Sequence, residues 1–483
     1  MNTDINRRGF IGGMLAAGSA PLVFSGCVTK YLANSKVNVG IIGLGRIAFG
    51  MDIPLTIKHT GHCRITAVCD LDRKRLDNGA KFVQEQYAKL TGELNAPVKK
   101  FSNYRDLLAD PSIDAVMICI PDHWHAIVAT DAVLAGKHIW LQKPFTQTIE
   151  EGRILADLCK KYNRVVQVAA WQRSRPQFGL VCELVRNGRI GEIKRVEVGI
   201  GLDREGGSSA PQKVPETFDY DMWLGPTAAD VPYNETRCHT QNLKNIGSRP
   251  GWIQLAPYGW GMITNWGAHH IDIAQWGLGM DDSGPESVEG TCKWMSTAGG
   301  KLWNVHTSYD LHYSYNGGKT DLHVCNKYQN GIKFVGTNGE WLFCTRGAAK
   351  VTPSDPEPYV RPGMLGPLAA AKPELLPTLK KMSTSSMNAH VSDWLDAIVA
   401  GDPEAACTSA EIAHRSSCVC CIGQMCMELG RGKKSFSLDW NPDAESTGNA
   451  EYDKLMKPFA RDKFDLRVNL AEFGLDLDKE LKA

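Results

Sequence analysis

From residue 37 onward, short apolar runs alternate with amphipathic stretches. Near-continuous apolar runs at residues 39–42, 65–70, 115–120, 137–141 and 165–168 predict strands buried on both faces. Between them, residues 124–135 and 150–161 read as helices. Strands separated by helices predict an α/β fold with a parallel, doubly wound sheet covered on both sides. After about residue 169 the texture changes. Residues 192–199, 302–313 and 320–327 alternate apolar and polar positions, which predicts a large mixed, mainly antiparallel sheet with one open or partner-covered face. Residues 203–217 form a polar Gly/Ser/Pro loop and 350–388 a long surface excursion, before 391–400 and 410–429 return to helix.

Length and composition fit this division. The 483 residues suit two domains plus a leader, and 43% hydrophobic with 22% charged content is ordinary for a globular protein. A net charge of +1 gives no electrostatic case for nucleic acid or an anionic membrane surface. The start of the chain is different. Arg7-Arg8-Gly9-Phe10-Ile11 opens a short apolar stretch ending in Ser25-Gly26-Cys27, which reads as a twin-arginine export signal with a lipoprotein-type cysteine. The expected protein is therefore exported and periplasmic, with membrane attachment only through a lipid on Cys27. The 14 other cysteines tempt a disulfide reading. Cys63, Cys69 and Cys119 lie in or beside strand-like runs, however, and Cys418, Cys420, Cys421 and Cys426 lie in one helical stretch. That placement favours buried packing over disulfides or a metal cluster.

The first strand runs into Gly43-Leu44-Gly45-Arg46-Ile47-Ala48. Gly43 permits the tight turn, Gly45 lets backbone approach a pyrophosphate, and Ala48 lets the following helix pack closely. Asp70 ends the second strand, where an acid accepts hydrogen bonds from the adenosine ribose and favours NAD. The basic cluster Arg73-Lys74-Arg75 leaves NADP open. The expected division is a leader and linker at 1–35, a Rossmann domain at 36–168, an α+β substrate domain at 169–440 and an extension at 441–483.

Three motifs carry the chemistry. They are Ile118-Cys119-Ile120-Pro121-Asp122-His123-Trp124-His125, then Leu141-Gln142-Lys143-Pro144, then the segment containing Asn265, His269, His270 and Asp272. Together they resemble the glucose–fructose oxidoreductase / inositol dehydrogenase (Gfo/Idh/MocA) family. The resemblance implies a nicotinamide ring between two domains, sugar, polyol or glycoside substrates, and a homo-oligomer. It matches Lys143 to the lysine of the family's Glu-Lys-Pro motif and His269 to its catalytic histidine. His125 matches a position near the cofactor.

The residues themselves agree with a redox site. Oxidising a secondary alcohol needs a base for the hydroxyl proton, and Lys143 follows a strand's C-terminal end, where open α/β sheets bind ligands. Asn265, His269 and Asp272 would share one face of a helix at spacing i, i+4, i+7. Lys143, His269 and Asn265 are thus the expected catalytic set. Gly43, Gly45, Arg46, Ile47, Asp70, Arg75, Ile120, His123, His125, Gln142 and Lys143 are the expected cofactor contacts. Gln172, Arg173, Tyr258, Trp260, Asp272 and His270 are the substrate-side candidates, with packing an equal reading for the two aromatics and the favoured one for His270. No metal is expected. Two departures from the family matter. Asn265 replaces an aspartate and Gln142 a glutamate, and each removes a negative charge. Unit charges roughly 4 Å apart at an effective dielectric of about 20 interact by about 4 kcal/mol. Their loss should bias Lys143 and His269 toward proton-accepting forms, or else impair catalysis. Three readings stay open: a sugar or glycoside oxidoreductase, an NAD-dependent glycosidase or lyase working by transient oxidation and elimination, and a non-catalytic sugar-binding lipoprotein.

Overall fold

The computed structural model describes residues 36–92, 97–354, 388–459, 461, 464–472 and 475. The expected leader, Cys27 and most of the 350–388 excursion lie outside the described residues. Six strands form the first sheet: β1 (Val37–Ile42), β2 (Cys63–Cys69), β3 (Lys99–Phe101), β4 (Ala115–Ile118), β5 (His138–Leu141) and β6 (Val166–Val168). Their order is β3-β2-β1-β4-β5-β6, with every pair parallel. The chain reverses direction across the sheet between β1 and β4, which places a ligand crevice at the carboxyl ends of those strands. Helices α1 (Arg73–Thr91), α2 (His125–Leu134) and α3 (Ile149–Lys161) cover the sheet. Two buried apolar clusters, one on each face, account for the unbroken apolar runs of the strands.

The second domain opens with α4 (Pro176–Arg186) and β7 (Ile193–Gly199). Helix α5 (Gly267–Leu278) precedes β8 (Ser287–Trp294), β9 (His306–Tyr315), β10 (Thr320–Cys325), β11 (Gly331–Gly336), β12 (Trp341–Cys344) and β13 (Thr352–Pro353). With β14 (Phe436–Asp439), these strands order as β13-β12-β11-β7-β10-β9-β8-β14. Only the β7–β10 pair is parallel among the described ladders of this sheet. The burial alternation of β9 and β10 matches the expected period of two, with one face on the core.

Two late helices change the expected domain division. Val391, Trp394, Leu395 and Ile398 of α6 (Asn388–Ala400) pack into the core of the parallel sheet, so α6 belongs to the Rossmann domain although it follows the second. Helix α7 (Ala410–Leu429) enters both cores. Ala410 and Ala413 join the first domain's cluster, while Cys418 through Met427 join the second's. Cys418, Cys420, Cys421 and Cys426 are buried free thiols, in keeping with packing. Among the described residues, no helix is long and apolar enough to cross a membrane.

Candidate active site

The crevice at the strand ends is lined by three turns. They are Gly43–Ile47 after β1, Cys119–Asp122 after β4 and Gln142–Lys143 after β5, with Asp70 and Arg75 beyond β2. It holds about 1310 Å³ of space, solvent at its mouth included. Gly43 has φ +90°, and a Cβ there would lie 2.5 Å from the Cys119 carbonyl oxygen, so only glycine fits. A Cβ on Gly45 would meet nothing within 4 Å, leaving the turn bare toward the crevice. Asp70 braces this turn: its Oδ2 accepts from the Leu44 amide at 2.8 Å and its Oδ1 from the Asp72 amide at 2.8 Å. These features fit a pyrophosphate over the Gly43–Gly45 turn and a ribose beside Asp70.

The far wall comes from the second domain. Phe218, Trp223, His239, Thr240 and Trp252 close over the crevice from the loop between β7 and α5. The loop is fastened to the turn at the start of α1. Asp72 Oδ1 accepts from Thr217 Oγ1 at 2.9 Å and Oδ2 from Gln241 Nε2 at 3.1 Å, with His239 Nε2 3.7 Å away. Lys74 donates to the Gln241 carbonyl at 2.9 Å, and Arg75 to the carbonyls of Leu44 and Thr240. Burial pushes the Asp72 carboxyl up, but hydrogen bonds from His239, Thr217 and Gln241 prevail and hold it down at about 2.

Lys143, Asn265 and His269 lie where the domains face each other. Lys143 and Asn265 both line the crevice. His269 is buried nearby, close enough that the Lys143 charge acts on it, and its Nδ1 has no partner among the described residues. Burial lowers Lys143 from its ordinary value of 10.5; Asp122 opposes that, and Arg249, Arg346 and Arg46 add to it. Burial likewise lowers His269, followed by Arg346 and Lys143. The lowering expected from two lost negative charges is therefore present, with a different cause: burial first, then arginines.

The negative charge missing at Gln142 has moved one layer back. Asp52, fully buried at the end of the π-helical turn Ala48–Asp52, accepts from Gln142 Nε2 at 3.0 and 2.8 Å and from the Cys119 thiol at 3.1 Å. Burial raises its carboxyl to about 6. Because Nε2 faces a carboxylate, Gln142 Oε1 is the amide atom left as an acceptor for the crevice. Asp52 and Asp122 both escaped sequence reasoning. Asp122 had a signal, as an acid directly after a strand-ending proline; Asp52 had none.

Several expected site residues lie elsewhere. Arg173 is not a substrate contact: it is buried, and its Nε and Nη2 bind Asp272 at 2.8–3.0 Å, with Nη2 also 2.7 Å from Asp281. Asp272 is occupied by Arg173 and by Ser416 Oγ at 2.8 Å, and the helical path breaks at Trp266, so it does not continue a working face with Asn265 and His269. His123 and His125 do not line the crevice. His123 Nε2 donates to the Trp223 carbonyl at 2.9 Å, and the His125 nitrogens lie 2.8 and 3.0 Å from the Pro144 and Ile120 carbonyl oxygens. Both histidines thus hold backbone that shapes the crevice. Tyr258 packs between His123 and Trp223, each ring 5.0 Å away, and Trp260 Nε1 donates to Gln147 at 3.3 Å, so both aromatics serve packing. His270 Nδ1 bonds the Gly199 carbonyl at 3.0 Å. Gln172 is fully buried, with neither amide atom partnered among the described residues.

These features define a two-domain dinucleotide-binding protein with a lysine of lowered pKa lining the crevice at the domain boundary. The chain belongs to the Gfo/Idh/MocA oxidoreductase family: residues 37–170 match its NAD-binding Rossmann domain and 205–342 its C-terminal α/β domain. It is similar to the uncharacterized oxidoreductase YrbE of Bacillus subtilis, 33% identical over 156 residues, which are 32% of this chain and 42% of that protein. It is also similar to a glycosyl hydrolase family 109 protein of Shewanella woodyi, 31% identical over 166 residues and a third of each chain. The chain thus spans less than half the length of these curated relatives. In fold it resembles the WlbA dehydrogenase of Chromobacterium violaceum, solved with NADH and UDP-GlcNAcA, at a TM-score of 0.56 and 16% identity over 85% of this chain and 98% of that one. Levoglucosan dehydrogenase with NADH gives a TM-score of 0.52 and 16% identity, over 83% of this chain and 99% of that one.

Proposed function

We propose that this protein oxidises and reduces a secondary hydroxyl of a sugar, polyol or glycoside with NAD held in the crevice. The approach of Lys143 from one domain to Asn265 and His269 of the other, with Lys143 and Asn265 lining the crevice and His269 buried nearby, carries this reading. The Gly43–Gly45 turn, Asp70 and Gln142 would hold the cofactor, which supplies a hydride acceptor when bound. Lys143, neutral because burial and neighbouring arginines lower its pKa, accepts the substrate hydroxyl proton as hydride leaves the same carbon. His269, also biased toward neutrality, shares that proton, and the Asn265 amide orients the hydroxyl. In the reductive direction Lys143 returns the proton.

The fastened loop gives this reading a second part. The cofactor would leave slowly, as an exported enzyme without a nicotinamide supply requires. Export, a lipid on Cys27 and self-association through the outer sheet face belong to the same proposal. Likeness to glycosyl hydrolase family 109 proteins over the first domain supports one alternative. In it, transient oxidation acidifies the neighbouring C–H, the glycosidic bond leaves by elimination, and the cofactor is restored within the cycle. The deciding experiment adds glycosides to NAD-loaded protein in deuterated water. Free keto-sugar with lasting absorbance at the reduced nicotinamide band supports the oxidoreductase. Released aglycone with deuterium beside the oxidised carbon supports elimination. No spectral change with any sugar sinks both.

A further inference from the structure

We propose that the substrate is an acidic sugar, a carbohydrate carrying a carboxylate or a sulfate group, and that Arg346 receives that group with help from Arg249. This rests on the sugar-redox reading and deepens it.

Arg346 lies just after β12. Its guanidinium carbon stands 4.7 Å from the centre of the Trp266 ring. Trp266 follows Asn265 in the chain, and its ring centre lies 6.1 Å from that of His269. The guanidinium is thereby held over the start of the catalytic helix. Its Nη2 is buried and has no partner among the described residues. A buried guanidinium donor without an acceptor is costly, and one held beside a reaction centre is ready for an incoming anion. Its planar fork matches the paired oxygens of carboxylate or sulfate.

A second cation flanks the same segment. Arg249 Nη2 lies 3.3 Å from Met262 Sδ, on the turn that leads to Asn265. The acid that acts on Arg249 is Asp203, whose oxygens already accept from Gln254 Nε2 at 3.0 Å and the Met262 amide at 2.6 Å. The charges of the bound cofactor do not use up these cations. Arg46 sits in the Gly43–Ile47 turn, beside the expected pyrophosphate, and Asp122 faces Lys143. Arg249 and Arg346 are left, against Met262 and Trp266 on either side of Asn265 and near enough for both to act on Lys143. A neutral sugar would leave the Arg346 donor unmet, whereas an acidic one satisfies it.

The test uses the NAD-loaded protein, so that the pyrophosphate position is filled. Inorganic sulfate is titrated by calorimetry into the wild type and into Arg346→Gln. Cofactor reduction is then compared for aldoses paired with their uronates and 6-sulfates. Saturable sulfate binding that Arg346→Gln weakens about 10-fold or more is expected. So is a kcat/KM ratio of acidic to neutral partner of about 10 or more, falling toward about 1 in the variant. The uronate and sulfate arms tell the two acid groups apart. Sulfate binding that is absent from the wild type or unchanged in Arg346→Gln, together with equal turnover of acidic and neutral partners, overturns the proposal and leaves the redox reading standing. Sulfate binding that depends on Arg346, with no sugar reducing the cofactor, overturns the redox reading and leaves the anion site.

Discussion

The chemistry at residue scale turns on how Lys143 shares charge with one acid and three arginines. Asp122 is the acid that raises Lys143 against burial and three arginines. Oxidation needs the neutral amine, so its rate should rise with pH through the Lys143 pKa and then level, with an inflection well below 10.5. Removing the acid in Asp122→Asn takes away the carboxyl that favours the protonated amine, so the inflection should move to lower pH. A pH profile of cofactor reduction checks this, and an upward move, or an inflection above about 9 in the wild type, would contradict a depressed lysine. Lys143→Arg should lose turnover, since a guanidinium does not release its proton at accessible pH. Behind Lys143, the Asp52–Gln142 pair makes a second prediction. Gln142→Glu would set a carboxylate at 2.8–3.0 Å from a fully buried one. A loss of about 2 kcal/mol in unfolding free energy is expected, largely regained in the double variant Asp52→Asn with Gln142→Glu, where an amide again faces an acid. Equal stability of the two variants would show that the pair does not act as a unit.

At the scale of elements, the loop between β7 and α5 works as a clasp. It meets the first domain at the start of α1, through Lys74, Arg75 and above all Asp72, a carboxylate that takes hydrogen bonds from Thr217 and Gln241 and faces His239. Asp72→Ala should leave the Gly43–Gly45 turn intact, because Asp70 and not Asp72 braces it. The expected result is a cofactor off-rate raised about 10-fold, for roughly 1–2 kcal/mol of lost hydrogen bonding, read by fluorescence on dilution. An unchanged off-rate would mean that the loop merely rests on the crevice. How far these elements were legible follows from the same physics. The interior strands declared themselves because both faces are buried. β3 did not, since Lys99 and Lys100 are exposed at a sheet edge and only three residues pair. The apolar face of α6 was readable, but not that it docks on the first domain, because periodicity shows a face and not its partner. The positions of Gly43, Gly45, Asp70 and Lys143 beside the crevice were readable because each lies in a local turn at a strand end. Arg173 and Asp272 were misread because each is consumed by the other across 99 positions of sequence. Asp52, Arg249 and Arg346 reach the site through tertiary structure alone.

Across the whole molecule, the proposed reaction would need the two domains to hold Lys143 and His269 in register, and α7 is the helix that contacts both. Neighbouring serines on that helix reach both sides: Ser417 Oγ accepts from the Phe145 amide at 3.2 Å, two residues past Lys143, and Ser416 Oγ donates to Asp272 on the His269 helix. The helix is seated on α3, where a Cβ on Gly152 would lie 2.4 Å from His414 Nδ1. Arg153 then binds Glu411 of α7 and Glu445 of the C-terminal extension, each at 2.7 Å, while Glu445 also meets His414 at 2.8 Å. Both glutamates are held down by these partners although burial pushes them up, Glu411 to about 2 and Glu445 further. A carboxylate depressed in the folded state contributes stability above its ordinary value of 4.5 and loses it as pH falls toward the folded value. Arg153→Met should therefore cost about 1–2 kcal/mol at neutral pH, discounted because the network is partly solvated. The gap from wild type should narrow steadily below pH 4.5. If the network also sets the register of the two catalytic elements, turnover in the variant should fall on mild warming before the unfolding signal moves. Coincident loss of activity and fold would assign the network to stability alone and leave alignment to the two serines.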